Sequence, residues 1–204
     1  GANKHLPPTA RQKALHEGTD PECPAGPALV VGSGVKPRIP GFVNLEIAPF
    51  KNVDIVGSAL ALPFQDNTFR YAYSAAVLEH GRDPQRMIAE MCRVTKPGGF
   101  VFIEVPFLQH FHAYPNDYQR YSVEGLKALF DGFEVIETGV CVGPGSALTA
   151  IAGDYIALLT FSKKRWVNDI VRCIPLALLW PLKFLDPFLV KHQPRAHELA
   201  SGIH

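Results

Sequence analysis

FRYAYSAAVLEHGRDPQRMIAEMCRVTKPGGFVFIEV, residues 69–105, holds the signals that decide the fold. Phe69-Arg-Tyr-Ala-Tyr-Ser74 reads as a strand, and Phe100-Val-Phe-Ile-Glu-Val105 has the strong β-propensity of another. Between them, Asp83 is placed to cap a helix. Pro84 follows at its first position, where a missing N–H does no harm. Met87, Ile88, Met91 and Val94 then recur at helical spacing, and Lys96-Pro-Gly-Gly99 stops the helix. Strands joined through helices imply a largely parallel sheet covered on both faces.

Outward from this unit the same alternation continues. Ala28-Leu-Val-Val31 runs into the turn Gly32-Ser-Gly34 and reads as the first strand. Val43-Asn-Leu-Glu-Ile47, Val53-Asp-Ile-Val56 and Phe133-Glu-Val-Ile-Glu137 supply three more, and a second helix is expected from Ser122 through Leu126, Leu129 and Phe130. Pro37, Pro40 and Gly41 forbid a regular helix between Gly34 and Phe42, so the first crossover is a short loop or the second strand is displaced. Residues 1–27 read as a flexible arm with at best a short helix near Ala10–His16, residues 28–145 as the α/β domain, and residues 146–204 as a helical apolar segment. The expected fold is therefore α/β and Rossmann-like: a mostly parallel sheet, helices on both faces, and an apolar helical C-terminal segment.

Composition removes several classes of function. The chain has 204 residues, 19% of them charged, and a formal net charge of +1 without a basic block, so no nucleic-acid partner is expected. Its four cysteines, Cys23, Cys92, Cys141 and Cys173, form no CxxC pair and have no histidine cluster beside them; no metal is expected, and reduced thiols point to a cytoplasmic setting. Residues 1–20 lack the apolar core of a signal peptide.

In an open parallel sheet a ligand binds beyond the carboxyl ends of the strands. Those positions are Gly32–Gly34, Glu46, Ser58–Leu60, Ser74–Ala76 and Pro106 onward. Glu46, near the end of the second strand, can accept hydrogen bonds from both hydroxyls of a ribose. Gly32-x-Gly34 lacks the third glycine and following helix that a dinucleotide pyrophosphate needs. S-adenosylmethionine, which has no phosphate, escapes that objection.

Four motifs then fall in order: Gly57-Ser-Ala-Leu-Ala-Leu-Pro-Phe64, Asp66-Asn-Thr-Phe69, Val77-Leu-Glu-His80 and Arg93-Val-Thr-Lys-Pro-Gly-Gly99. The series resembles the type 11 methyltransferase domain of the class I, S-adenosylmethionine-dependent superfamily over roughly residues 28–137. Val31-Gly-Ser-Gly34 with Pro40-Gly-Phe-Val-Asn-Leu-Glu46 is similar to a branch with a short loop after the first strand. The resemblance implies that Gly32, Ser33 and Gly34 line the methionine end of S-adenosylmethionine and that Glu46 binds the ribose. It implies Ile47 packed on adenine, Ser58, Ala59 and Leu60 along the adenine edge, and Ser74 and Ala75 facing the sulfonium. Ser58 stands where the family commonly has an aspartate, and Arg70 where another aspartate is frequent. A cofactor-binding domain without catalysis, acting by association, is accordingly the alternative.

The acceptor side is expected in Pro106-Phe-Leu-Gln-His-Phe-His-Ala-Tyr-Pro-Asn-Asp-Tyr-Gln-Arg-Tyr121. His110, His112, Tyr114, Asp117, Tyr118 and Arg120 all carry suitable chemistry, with His112, Tyr118 and Arg120 as the catalytic candidates and His112 as base. An Asp117–Arg120 pair that merely holds the loop is the competing reading, and His80 is expected to brace the helix after strand four. A small-molecule acceptor is expected, with a sugar or a lipid-linked intermediate as the classes considered. Ala147–Phe161 and Cys173–Val190 are apolar, with Lys163-Lys-Arg165 between them; they form either a lid over the acceptor or an interfacial segment on a membrane. Only Ala200–His204 remains to supply a last strand.

Overall fold

The computed structural model describes residues 26–35, 41–113 and 116–204. The expected arm, its short helix near Ala10–His16, Cys23, Pro37, Pro40 and Tyr114 lie outside the described residues. Seven strands form one sheet: β1 (Ala28–Val31), β2 (Phe42–Glu46), β3 (Ile55–Val56), β4 (Phe69–Ala75), β5 (Thr95–Pro106), β6 (Val140–Val142) and β7 (Gly202–Ile203), in the order β3-β2-β1-β4-β5-β7-β6. The first five run parallel, and β7 is antiparallel to both β5 and β6. Strand order reverses between β1 and β4, which opens a crevice at their carboxyl ends. β1 and β2 are parallel neighbours, Ala28 opposite Phe42, so the second strand is not displaced.

β1 is buried on both faces and alternates accordingly. Leu29 and Val31 join a core with Leu45, Met87, Ile88 and Met91, while Ala28 and Val30 join Tyr71 and Tyr73 on the other side. Helix α1 (Pro84–Val94) buries the four residues its spacing marks, Met87, Ile88, Met91 and Val94, and the Asp83 side chain accepts from the Arg86 N–H. The helix ends at Thr95. Lys96–Gly99 then bulges out of β5, placing Thr95 opposite Phe69 but Phe100 opposite Tyr71. Gly99 is required there, because a Cβ would meet the Arg70 carbonyl at 2.7 Å.

Arg93 explains part of the fourth motif in structural terms. It bonds both Glu90 oxygens at 2.7 and 2.8 Å, Asp66 at 2.6 Å and the carbonyls of Phe64 and Leu62 at 2.9 and 3.1 Å, fastening the Leu62–Asp66 turn to α1. Glu90 also accepts from the Leu62 N–H at 2.7 Å. Arg93 beside it holds the Glu90 carboxyl below its ordinary range. A depressed carboxyl stabilises the fold above its unfolded pKa of about 4.3 and loses that contribution as pH falls through the folded value. Glu90→Gln is expected to lower the melting temperature at neutral pH, and the gap from the unsubstituted chain should close below about pH 4. A gap that persists in acid would show that the charge is not what holds the turn.

Two expected elements are corrected. Phe133–Glu137 is not a strand; the strand in this part of the sheet is β6, seven residues further on from Phe133, with Val140 opposite Ile203 of β7. The second helix, α2 (Val123–Lys127), is capped by Ser122 as expected but ends before Leu129 and Phe130, which continue in single turns.

Between β6 and β7 the chain makes a helical excursion: α3 (Pro144–Leu158), α4 (Arg165–Leu179), a 3-10 stretch Trp180–Leu185, α5 (Asp186–His192) and a 3-10 stretch Pro194–Leu199. Helices α3 and α4 form a hairpin. Gly145, Thr149, Gly153 and Ala157 are buried at intervals of four, and Gly153 lies against Arg172 and Leu176 of α4. Asp186 closes the unit by accepting from the Gly145 and Ser146 N–H groups at 2.6 and 3.2 Å and from the Ser146 hydroxyl at 2.9 Å. Ala200, Ser201, Gly202, Ile203 and His204 are all buried, so the chain returns into the sheet core.

Candidate active site

The loops after β1, β2 and β4 bring one group of candidates together. Gly32 turns the chain at φ +75°, and a Cβ there would strike Val77 at 2.2 Å, so packing as well as the turn requires glycine. At Gly34, with φ +56°, a Cβ would meet nothing within 4 Å among the described residues. Glu46 Oε2 accepts from the Gly34 N–H at 2.8 Å and Oε1 from the Ile47 N–H at 2.7 Å. A carboxylate has about four acceptor directions, so two remain for the hydroxyls of a ribose. Ile47 beside it is 72% exposed and offers an uncovered apolar surface.

Ser33 and Ser74 are buried, and neither hydroxyl has a partner among the described residues. Buried polar groups are normally satisfied, so these two hydroxyls at the ends of β1 and β4 each call for a partner. Ala75 ends β4, and Ala76 follows with φ +56°, a conformation that costs a side chain roughly 1–2 kcal/mol and turns the chain sharply at the crevice. Along the expected adenine edge the Ser58 hydroxyl accepts from the Leu60 N–H at 3.2 Å, while Ala59 and Leu60 pack against the core. Together these residues fit S-adenosylmethionine: a carboxylate for the ribose, an apolar platform, and orphaned hydroxyls near the methionine end.

The loop after β5 supplies the second group, and here one assignment changes. Arg120 does not reach toward an open site. Its N–H groups go to Gln109 O at 3.2 Å, Gln119 O at 2.8 Å, His110 O at 2.9 Å, and Asp117 through both Oδ1 and Oδ2. A guanidinium has five N–H donors, and five acceptors are met, so Arg120 clamps the loop rather than acting on a substrate. Asp117, 1% exposed at its side chain, also accepts from the His112 N–H at 2.7 Å. The Arg120 guanidinium holds the Asp117 carboxyl far below the usual carboxylate range. Tyr118 accepts from Arg82 Nε at 2.8 Å and lies under that guanidinium, 5.6 Å from the ring centre.

His112 lies at the crevice, its Nε2 3.4 Å from Glu79 Oε1. His80 braces the loop after β5 rather than the expected helix, its Nδ1 2.6 Å from the Asn116 carbonyl, and its Nε2 faces Glu79 Oε1 at 3.7 Å. Glu79 sits in the short 3-10 turn Leu78–His80 after β4, with a fully buried side chain. The sequence reading gave Glu79 no role. The available signal was the adjacent Glu-His pair of the Leu-Glu-His motif, read there only as a family marker.

Burial pushes the Cys92 thiol up to about 11 and the Cys141 thiol to about 12, so both stay protonated near neutral pH. An apolar cavity of about 140 Å³, lined by Phe100, Phe102, Phe130 and Phe133 among others, includes none of the candidate residues.

Residues 41–103 match the model of the methyltransferase domain family. An uncharacterized methyltransferase of Schizosaccharomyces pombe is 42% identical over 65 residues, 32% of this chain and 23% of that protein. A demethylmenaquinone methyltransferase of Renibacterium salmoninarum is 36% identical over 75 residues, 37% of this chain and 32% of that one. The chain thus spans about a quarter to a third of the length of these curated relatives. Among solved structures, a chain from the Haloferax volcanii complex of the Trm112 methyltransferase activator and its candidate methyltransferase superposes with a TM-score of 0.51 at 19% identity, covering 66% of this chain and 71% of that one. The [4+2]-cyclase SpnF superposes with a TM-score of 0.52 at 16% identity, covering 94% and 76%. At such identities the likeness is one of fold, and a cyclase among the neighbours means that fold alone does not carry an activity.

Proposed function

We propose that this chain, which carries a class I S-adenosylmethionine-dependent methyltransferase domain, transfers a methyl group to a small, lipid-like acceptor at a membrane surface. S-adenosylmethionine supplies an activated methyl on a sulfonium; the chain's own task is to align the acceptor, exclude water and manage the acceptor's proton. Gly32–Gly34, Glu46 and Ile47 would hold the cofactor, and the loop through His112 would receive the acceptor.

The observation that carries the membrane part is the outer surface of the α3–α4 hairpin. Its small residues face inward, and its large apolar ones face out: Leu158 is 73%, Phe161 90% and Leu178 74% exposed. Small residues between helices with large ones outside is the arrangement of helices packed in lipid. Exposed apolar surface on this scale marks an interaction site. Lys163, Lys164 and Arg165 are exposed at the hairpin's tip between Phe161 and Trp166, suited to anionic headgroups. The run Arg165–His192 has the length and composition to cross a membrane, and only 6% of its most apolar window is buried. It is bent, however: Asp186 returns to the start of α3, so the hairpin is about as long as the 15-residue α3, roughly 22 Å. That falls short of a hydrocarbon core of about 30 Å, which favours lying in the interface over spanning. Asp154 links the hairpin to the acceptor loop, 3.3 Å from His110 Nδ1 and 2.7 Å from Arg172 Nε.

The chain is expected to float with vesicles containing anionic lipid, and the triple change of Lys163, Lys164 and Arg165 to Glu should abolish flotation without altering cofactor affinity. Equal recovery with neutral and anionic vesicles, or none with either, would overturn the membrane reading. A binding domain without catalysis is the second reading, favoured by Ser58, whose hydroxyl is already engaged by Leu60. Cofactor binding without methyl release to vesicle-borne or soluble acceptors would select it.

A further inference from the structure

Glu79 presents a problem that nothing described so far solves. Its side chain is fully buried, and neither carboxylate oxygen has a hydrogen-bond donor among the described residues. A buried carboxylate left without a partner is strongly unfavourable, so the position calls for a cation.

Two imidazoles face it, and their tautomers follow from what lies behind them. His80 Nδ1 is 2.6 Å from the Asn116 carbonyl, which can only accept, so Nδ1 carries a hydrogen and the neutral ring presents its lone pair at Nε2. His112 Nδ1 lies 3.1 Å from the His110 carbonyl and 3.3 Å from Arg120 Nη2. The carbonyl contact decides between them, because Arg120 Nη2 already donates to His110 O and to Asp117 Oδ2 at 2.9 and 2.7 Å. His112 Nε2 therefore also carries a lone pair. With both rings neutral, their Nε2 lone pairs converge on the Glu79 carboxylate, the three possible ligand atoms lie within 4.8 Å of one another, and both rings are oriented from behind by carbonyls. Metal-ligating histidines are commonly oriented in this way.

We propose that Glu79, His80 and His112 bind a divalent zinc-class cation at the acceptor edge of the crevice. Nitrogen and oxygen ligands about 2.0–2.1 Å from a tetrahedral ion stand about 3.3 Å apart. The separations from Glu79 Oε1 are 3.4 Å to His112 and 3.7 Å to His80, so the pocket is close to closing on such an ion. Two histidines and one carboxylate leave coordination positions open, as catalytic sites do. The site stands on its three ligands alone; its part in methyl transfer rests on the function proposed above. There the ion would hold a hydroxyl acceptor and ease release of its proton to water, and His112 would serve as ligand rather than base.

The test is titration of the chelator-treated full chain with Co²⁺, read from its visible absorption bands, then competition with Zn²⁺. One Co²⁺ per chain, displaced by Zn²⁺, is expected, with binding weakened at least about tenfold by His80→Ala, by His112→Ala and by Glu79→Gln. His112 lies on a surface loop, so its variant reports on the site even if Glu79→Gln fails to fold. His197→Ala, at an exposed position in the 194–199 turn, should leave binding unchanged. Absence of saturable Co²⁺ or Zn²⁺ binding, or binding indifferent to His80→Ala and His112→Ala, would overturn the proposal. S-adenosylhomocysteine titration of the same samples separates the two ideas: loss of that affinity alone counts against the methyltransferase reading and leaves the ion site standing.

Discussion

Glu46→Ala is expected to weaken binding of S-adenosylhomocysteine by a hundredfold or more. The reference is a dissociation constant of about 1 µM for the unsubstituted chain, or about −8 kcal/mol. Hydrogen bonds to a charged acceptor contribute roughly 1.5–3 kcal/mol each, and two ribose hydroxyls would share this carboxylate. The substitution also removes the acceptor for the Gly34 and Ile47 N–H groups, so the turn beside the methionine end loosens with it. Glu46→Gln separates the two effects: it keeps an acceptor oxygen, loses the charge, and should fall between. Calorimetric titration of the three proteins is the measurement. Affinity unchanged in Glu46→Ala would place the ribose elsewhere, and a wild-type chain that binds nothing would leave a fold without its cofactor.

The second large effect belongs to the acceptor loop. Asp117→Asn keeps the shape of the side chain but leaves Arg120, about a quarter exposed, without its counter-charge. Removing one partner of a buried pair costs roughly 3–5 kcal/mol, and the partial exposure of Arg120 lowers that to about 2–3 kcal/mol. In a chain of this size the melting temperature should fall by roughly 4–12 °C. Amide exchange should quicken across 107–122, where the His112 N–H loses its acceptor. Affinity for S-adenosylhomocysteine should change less than about twofold, because the residues proposed to hold the cofactor lie at the ends of β1 to β4 and not in the loop after β5. Exchange in the loop that does not quicken would mean that the clamp is not what orders it. A double-mutant cycle with Arg120→Ala isolates the coupling.

The two substitutions probe parts of the site that were legible to different degrees in the sequence. Glu46 could be nominated because a strand end, a glycine turn and an acidic residue lie within 15 residues (32–46), and parallel-sheet topology assigns that place to a ligand. Arg120 carried two readings in the sequence, a catalytic role or a pair with Asp117 that holds the loop, and the structure shows the pair. Its partners include the backbone carbonyls of Gln109 and His110, and no side-chain pattern records where a carbonyl will point. Glu79 was misjudged for a related reason: the ligand set that gives it meaning comes from His80 next to it and His112 on another loop.

What the sequence determined by itself is what short-range physics controls. The 3.6-residue spacing of Met87, Ile88, Met91 and Val94, the Asp83 cap, the alternation in β1 and the Lys96–Gly99 stop are local, and each survived into the structure because neighbours in the chain dictate it. What only the tertiary structure decided depends on partners remote in the chain. Phe133–Glu137 has the alternation of a strand, yet the strand forms at Val140–Val142, where the backbone groups meet those of β7; periodicity does not say where a neighbour will lie. The apolar C-terminal residues likewise read the same as core or as surface. Only the packing of Thr149 and Gly153 against α4, and of Gly145 against Leu182 and Asp186 beyond it, turned the large side chains outward, since helices that pack through small residues must leave their bulky ones on the far side.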